Sequence, residues 1–142
     1  MTDRVASDTD TVTTHRGRID RVGSTRRRCI RPPSETLPDP ESFVRVVIDR
    51  TEYHARIAHD GIGPYIGGAY RNRRLARTGE GENHLQTWLS EIDRGMDESI
   101  EFDVVLEGEL YGLRRPGERT VYRVRQGPSD SLASIAEDLD GR

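Results

Sequence analysis

The sequence predicts a mainly β single domain: a small antiparallel barrel, closed or partly closed, of about eight strands, with one packed amphipathic helix and a short C-terminal helix. Three observations predict it. Apolar and polar residues alternate in short runs, as at Val44, Val46 and Ile48 or Ile100, Phe102 and Val104. Turn residues recur between the runs, among them Gly23-Ser24, Glu107-Gly108 and Pro116-Gly117. One internal stretch, Leu85, Trp88, Leu89 and Ile92, has helical spacing on a single stripe.

In order, residues 1–14 are polar, with only Val5, Ala6 and Val12 apolar after Met1, and read as a flexible tail. Residues 15–22 and 26–30 read as a hairpin around Gly23-Ser24-Thr25, stopped by Pro32-Pro33. Residues 34–42, with Pro38 and Pro40, form a loop. Val44, Val46 and Ile48, then Tyr53, Ala55 and Ile57, define a second hairpin turning near Asp49-Arg50. Residues 64–69 are a third strand after Asp60-Gly61-Ile62-Gly63, and Gly67-Gly68 permits a bulge or a close backbone approach. A helix over about 83–94 is capped by Asn83 with Gln86 three residues on, and Gly95 ends it. Strands follow at 100–106, 109–114 and 119–125, so the barrel domain spans 15–125. After Gln126-Gly127-Pro128, residues 126–142 are a linker and a helix with Leu132, Ile135, Ala136 and Leu139 on one side.

All 22 cationic side chains are arginine; there is no lysine. A GC-rich genome produces that bias, and so does selection for a planar cation that binds phosphate bidentately. At 142 residues, 32% hydrophobic and 33% charged, the chain is one domain with a thin core under a charged surface. No apolar run is long enough to span a bilayer, and the start lacks the apolar region of a secretory signal. The single cysteine, Cys29, cannot form an internal disulfide, favours a cytoplasmic setting, and reads as a small strand-packing residue. The net charge of −3 hides a segregation. Residues 15–31 carry seven Arg against Asp20, residues 45–77 seven against three acids, and residues 78–113 ten acids against Arg94. Such blocks either pair with one another or make a partner-binding face.

The stretches Glu52-Tyr53-His54-Ala55-Arg56, Gly68-Ala69-Tyr70-Arg71-Asn72-Arg73-Arg74-Leu75-Ala76-Arg77, Gly79-Glu80-Gly81-Glu82-Asn83, Leu110-Tyr111-Gly112-Leu113-Arg114 and Ser131–Leu139 occur together. On these the chain resembles a domain-of-unknown-function family of halophilic archaea over roughly residues 15–140. The resemblance implies a salt-rich cytoplasm and brings no activity or site residues. In architecture the order of elements is similar to small pseudobarrels of the AbrB and plant B3 kind, many of which bind DNA. Where those have Gly-Asp, this chain has Met96-Asp97-Glu98-Ser99. In molar salt the Debye length is about 3 Å, so only contact pairs, such as bidentate Arg–phosphate pairs, keep their strength.

These readings set the candidates. Arg71, Arg73, Arg74 and Arg77 beside Tyr70, with Arg26 and Arg28 supporting, suit nucleic acid, since guanidinium forks hold phosphates and aromatic faces stack on bases. The bland reading is a solvated connector pairing with Glu80, Glu82 and Glu91. His54 with Glu52 on one strand face is the candidate for a small enzyme in a barrel mouth, but no metal-ligand spacing accompanies it. Glu101 and Asp103 share a strand face and read as solvated barrel exterior rather than an acid pair for glycoside chemistry. Gly79-Glu80-Gly81 is no phosphate loop, because its glutamates repel anions and no lysine exists. The expectation is a non-enzymatic binding module for DNA or RNA without metal or cofactor. The alternative is an adaptor that docks a protein through Leu132, Ile135 and Leu139.

Overall fold

The structure, a computed structural model, describes residues 2–125. The C-terminal helix expected beyond residue 126, with Leu132, Ile135 and Leu139, lies outside the described residues. In chain order the elements are β1 (Thr2–Ala6), β2 (Thr13–Arg21), β3 (Arg28–Arg31), β4 (Phe43–Ile48), β5 (Thr51–His59), β6 (Pro64–Ile66), α1 (Arg73–Thr78), α2 (His84–Glu91), β7 (Ser99–Leu106), β8 (Leu110–Arg114) and β9 (Val121–Arg125). Seven strands close into a barrel in the order β2-β3-β6-β5-β4-β8-β7, and β1 and β9 form a separate two-stranded ribbon.

The barrel is mixed rather than purely antiparallel. β4 runs parallel to β8, with Val46 opposite Tyr111 and Ile48 opposite Leu113. Parallel neighbours require a long crossover, and β5, β6, both helices and β7 supply it. Alternation within a strand carries no information about direction, so the sequence cannot reveal this pair.

The interior follows the predicted alternation. Val44, Val46, Ile48, Ala55, Ile57, Ile100, Phe102, Tyr111 and Leu113 belong to one buried cluster, joined by Ile19, Ile30 and Ile66. Helix α2 contributes Leu85, Trp88 and Leu89 to the same cluster. Its cap is Asn83, whose side chain accepts from the Leu85 and Ala69 amides at 3.2 and 3.1 Å. Gln86 does not reach back to complete a capping box. It donates instead to the carbonyls of Arg28 (2.7 Å) and Gly67 (3.3 Å), tying the helix to β3 and the chain after β6. The helix stops at Glu91, a turn earlier than Gly95 suggests.

The N-terminal segment, expected as a tail, is strand β1, paired antiparallel with β9 from Thr2↔Arg125 to Ala6↔Val121. Its partner lies more than a hundred residues away, and Val5 and Ala6 alone are too few to mark a strand. A second apolar cluster, Val47, Leu110, Tyr122 and Val124 with Val5, Val105 and Leu106 beside it, fixes the ribbon to the barrel exterior.

That ribbon corrects the expectation for Asp103. The residue does face outward, yet it is fully buried because Tyr122 covers it. Asp103 accepts from Thr14 Oγ1 (2.6 Å), Arg114 Nε (2.7 Å), Arg114 Nη2 (2.9 Å) and the Tyr122 hydroxyl. A buried carboxylate is tolerable only with its charge paired and its lone pairs filled, and here they are. Burial, and then the bond to Asp103, push the Tyr122 hydroxyl far above its ordinary pKa. Tyr122 fits because position 112 is glycine: any Cβ there would overlap its hydroxyl and ring.

Two substitutions test this anchor. Gly112→Ala forces Tyr122 out of its slot and should lower stability by about 2 kcal/mol, the usual scale for overpacking. Tyr122→Phe keeps the packing but takes one bond from the buried Asp103 carboxylate, at about 2 kcal/mol, the scale of a hydrogen bond to a charged group. Urea titration reads both; a Gly112→Ala midpoint equal to that of the wild type would contradict the slot.

Candidate functional site

Helix α1 is a short amphipathic turn over β5. Asn72 caps its start, accepting from the Leu75 amide at 2.9 Å. Gly79 ends it with φ 77°, a left-handed conformation natural to glycine, and its amide donates to Leu75 O at 2.7 Å. Ala76 is the buried residue of α1, so Arg73, Arg74 and Arg77 stay exposed, as does Arg71 before the helix. Arg73 lays its guanidinium over the Phe43 ring, 4.5 Å from the centroid. Among the described residues none of these four arginines makes a salt bridge, so the expected pairing with Glu80, Glu82 and Glu91 is not formed; Glu82 instead meets Thr87 and His84. Tyr70 is buried, its amide and carbonyl bridging to His54 at 2.8 and 2.7 Å.

Arg77 and Tyr70 line one groove of about 360 Å³ together with Arg27, Arg56 and Tyr65, over a floor that includes Gly67 and Gly68. Three arginines line this groove, and among the described residues no acidic side chain does. Arg27 is held in place: its Nη2 donates to Gly67 O at 3.1 Å, and that carbonyl also accepts from Asn83 and Gln86. Arg56 meets Glu41 at 3.3 Å in an exposed pair of the kind that contributes little. Gly68 is required by close packing, since a Cβ there would lie 2.7 Å from the Tyr70 ring and 2.8 Å from the Asn83 side chain.

The wall beside Tyr65 is fixed by a second buried arginine. Arg31 donates to Asp20 (2.8 Å), Asp60 (2.6 Å), Gly63 O (3.1 Å) and Arg21 O (3.1 Å), and sits 5.2 Å from the Tyr65 ring centroid. Asp60 also accepts from the amides of Gly23, Ile62 and Gly63. The lock therefore joins the β2–β3 turn to the β5–β6 turn and sets Arg27 against β6. The Arg31 bond first, and the three amides after it, hold the Asp60 carboxyl well below the usual range. Burial raises Asp20, but the Arg21 amide, Arg31 and Arg18 outweigh it and lower that carboxyl too.

The structure separates the other nominated residues. Arg26 is exposed at the hairpin turn, while Arg28 turns to α2, donating to Arg94 O (3.1 Å) and Ser90 Oγ (2.9 Å). Of the three consecutive arginines it is Arg27, of opposite parity to Arg26 and Arg28, that lines the groove. His54 is half-buried between Arg45 and Arg73; burial first, then those two cations, hold its pKa below 6.5, with Glu52 opposing. It does not line the groove, whereas Glu52 lines another one near β9. Among the described residues no three His, Cys, Asp or Glu side chains converge as metal ligands would. Cys29 is buried and its thiol pushed up to about 11 by burial, which suits packing and not nucleophilic chemistry.

The chain belongs to a family of unknown function, DUF7112, whose model matches residues 1–139. No curated protein and no solved structure matches it.

The Arg31 lock has a pH signature. Asp60 has its folded pKa depressed below 3.8, so its contribution is complete above about pH 5 and fades as pH falls through the lowered value. Asp60→Asn should be less stable than wild type at neutral pH, and the gap should begin to narrow below about pH 4 and close only as pH falls through the lowered folded value. Thermal melts across that range read the gap, and a gap independent of pH would contradict the lock.

Proposed function

We propose that this family member is a non-enzymatic nucleic-acid-binding module that holds the phosphate backbone in the Arg27–Arg56–Arg77 groove, with Arg71, Arg73 and Arg74 on the same helical segment beside it. The observation that carries the reading is a groove lined by three arginines and, among the described residues, by no acidic side chain. Elsewhere in the fold the two buried arginines are given acids: Arg31 has Asp20 and Asp60, and Arg114 has Asp103, whereas among the described residues the only salt bridge of a groove arginine is the exposed pair of Arg56 with Glu41. A genomic bias toward arginine codons raises their number but does not gather three around one groove. Like charges so placed repel, and an anion relieves that repulsion.

Phosphate is the anion that arginine suits best, because the planar fork makes two parallel bonds to it. Such contact pairs persist where salt screens diffuse attraction. The reading sets the protein in the cytoplasm, an inference that rests on its single cysteine. It also accords with a halophilic source, where a binding surface has to work through contacts.

Fluorescence anisotropy against single-stranded RNA, single-stranded DNA and duplex DNA tests the proposal. Arg27→Ala/Arg77→Ala should weaken binding at least about tenfold at molar KCl, and the exposed pair Arg16→Ala/Arg21→Ala less than about twofold. Binding confined to low salt, or lost equally in both variants, would show nonspecific attraction and return attention to a protein partner for the C-terminal segment.

A further inference from the structure

The outer face of β4 and β5 leads away from this groove. Val44, Val46, Ile48, Ala55 and Ile57 point into the barrel, so Phe43, Arg45 and Val47 on β4 and Glu52, His54 and Arg56 on β5 point out. The register pairs them in three steps: Phe43 with Arg56, Arg45 with His54, and Val47 with Glu52. Arg56 lines the first groove. Val47 and Glu52, at the other end, line a second groove of about 920 Å³.

That second groove is also basic. Arg4, Arg50 and Arg123 line it, all exposed, and among the described residues Glu52 is its only carboxylate. Glu52 already faces Arg45 at 3.7 Å. Val47, Val121 and Tyr122 give it an apolar portion, and Val121 is 43% exposed. Arg50 stands at the tip of the β4–β5 hairpin with φ 68°, after Asp49 with φ 51°. Glycine is the usual residue in such a turn, so an arginine there holds a guanidinium at the groove mouth against its backbone preference. Between the grooves stand Arg45 and Arg73, the latter stacked on Phe43.

We infer that the ligand is single-stranded and runs along the outer face of β4 and β5, from the Arg27–Arg56–Arg77 groove past Arg73 and Arg45 to the groove of Arg4, Arg50 and Arg123. The inference rests on the nucleic-acid reading above and names its substrate class. Positions 52 and 56 are four residues apart, about 13 Å at the rise of a β-strand, so the grooves fall within reach of one short oligonucleotide. A flexible strand can lower its backbone into both hollows. A duplex presents its phosphates on a convex cylinder and is read by protruding elements, not by hollows. The apolar portion of the second groove and the guanidinium plane of Arg73 offer surfaces on which unpaired bases stack.

The test uses the full chain with oligothymidylate and oligouridylate of about 4 and about 12 nucleotides, and a duplex of the longer length. The longer strand should bind at least about tenfold more tightly than the shorter one, and more tightly than the duplex. Arg50→Ala/Arg123→Ala, both at exposed positions, should abolish that length advantage, leave the short strand unchanged, and reduce the salt slope by about 1.4. A longer strand that binds no better than the short one, or that binds the variant undiminished, overturns the path and leaves the first groove standing. Tighter binding of duplex overturns the single-strand assignment. No binding by any nucleic acid overturns the nucleic-acid reading and this inference with it.

Discussion

Closing seven strands into a barrel forces each strand to commit one parity of side chains to the interior, and the rest of this structure depends on that commitment. The interior admits Val44, Val46, Ile48, Ala55 and Ile57, so Arg45, His54 and Arg56 have no choice but the outer face. A shift of one residue in register would bury arginines and expose valines, which is why the outer arginines are firmly placed. The parallel contact of β4 with β8 completes closure and leaves no open edge in the barrel. Everything proposed for the surface inherits its geometry from this constraint.

The barrel then sorts its arginines into two kinds. Arg31 and Arg114 are buried, and each is matched by carboxylates whose lone pairs it fills. Both sit where separate segments meet: Arg31 joins two turns, and Arg114 with Asp103 receives Tyr122 from the ribbon. They are structural, and removing one partner would strand a buried charge. Arg27, Arg56 and Arg77 differ: they are exposed and line one groove, and among the described residues only Arg56 makes a salt bridge, the exposed one to Glu41. The acidic β7 explains part of the charge segregation, since its Glu101 stands opposite both Arg16 and Arg114. It does not reach the groove arginines.

Much of the fold was legible because period-two alternation is a local signal. Ile100 and Phe102, or Ala55 and Ile57, declare their strand and its inner face within a few residues. What was not legible is non-local. Nothing near Val5 announces β9, and nothing near Gly112 announces the tyrosine ten residues on that fills its missing side chain. The site was half legible. Arg77 and Tyr70 stood out as part of a basic, aromatic stretch, but Arg27 is set apart from Arg26 and Arg28 only by its opposite parity, and it takes the fold to show Arg28 spent on α2 and its following turn. Arg56 looked like any outward strand residue, and only the docking of α1 over β5 makes it a groove wall.

The most direct measurement follows arginine side-chain Nε–Hε signals by NMR while an unlabelled single-stranded oligonucleotide is added at molar salt. The account predicts that Arg27, Arg56 and Arg77 shift together with one Kd while the locked Arg31 and Arg114 stay still. Shifts in Arg16 and Arg21 as large as those in the groove would contradict it, because they would report attraction to charge anywhere on the surface and not to this site.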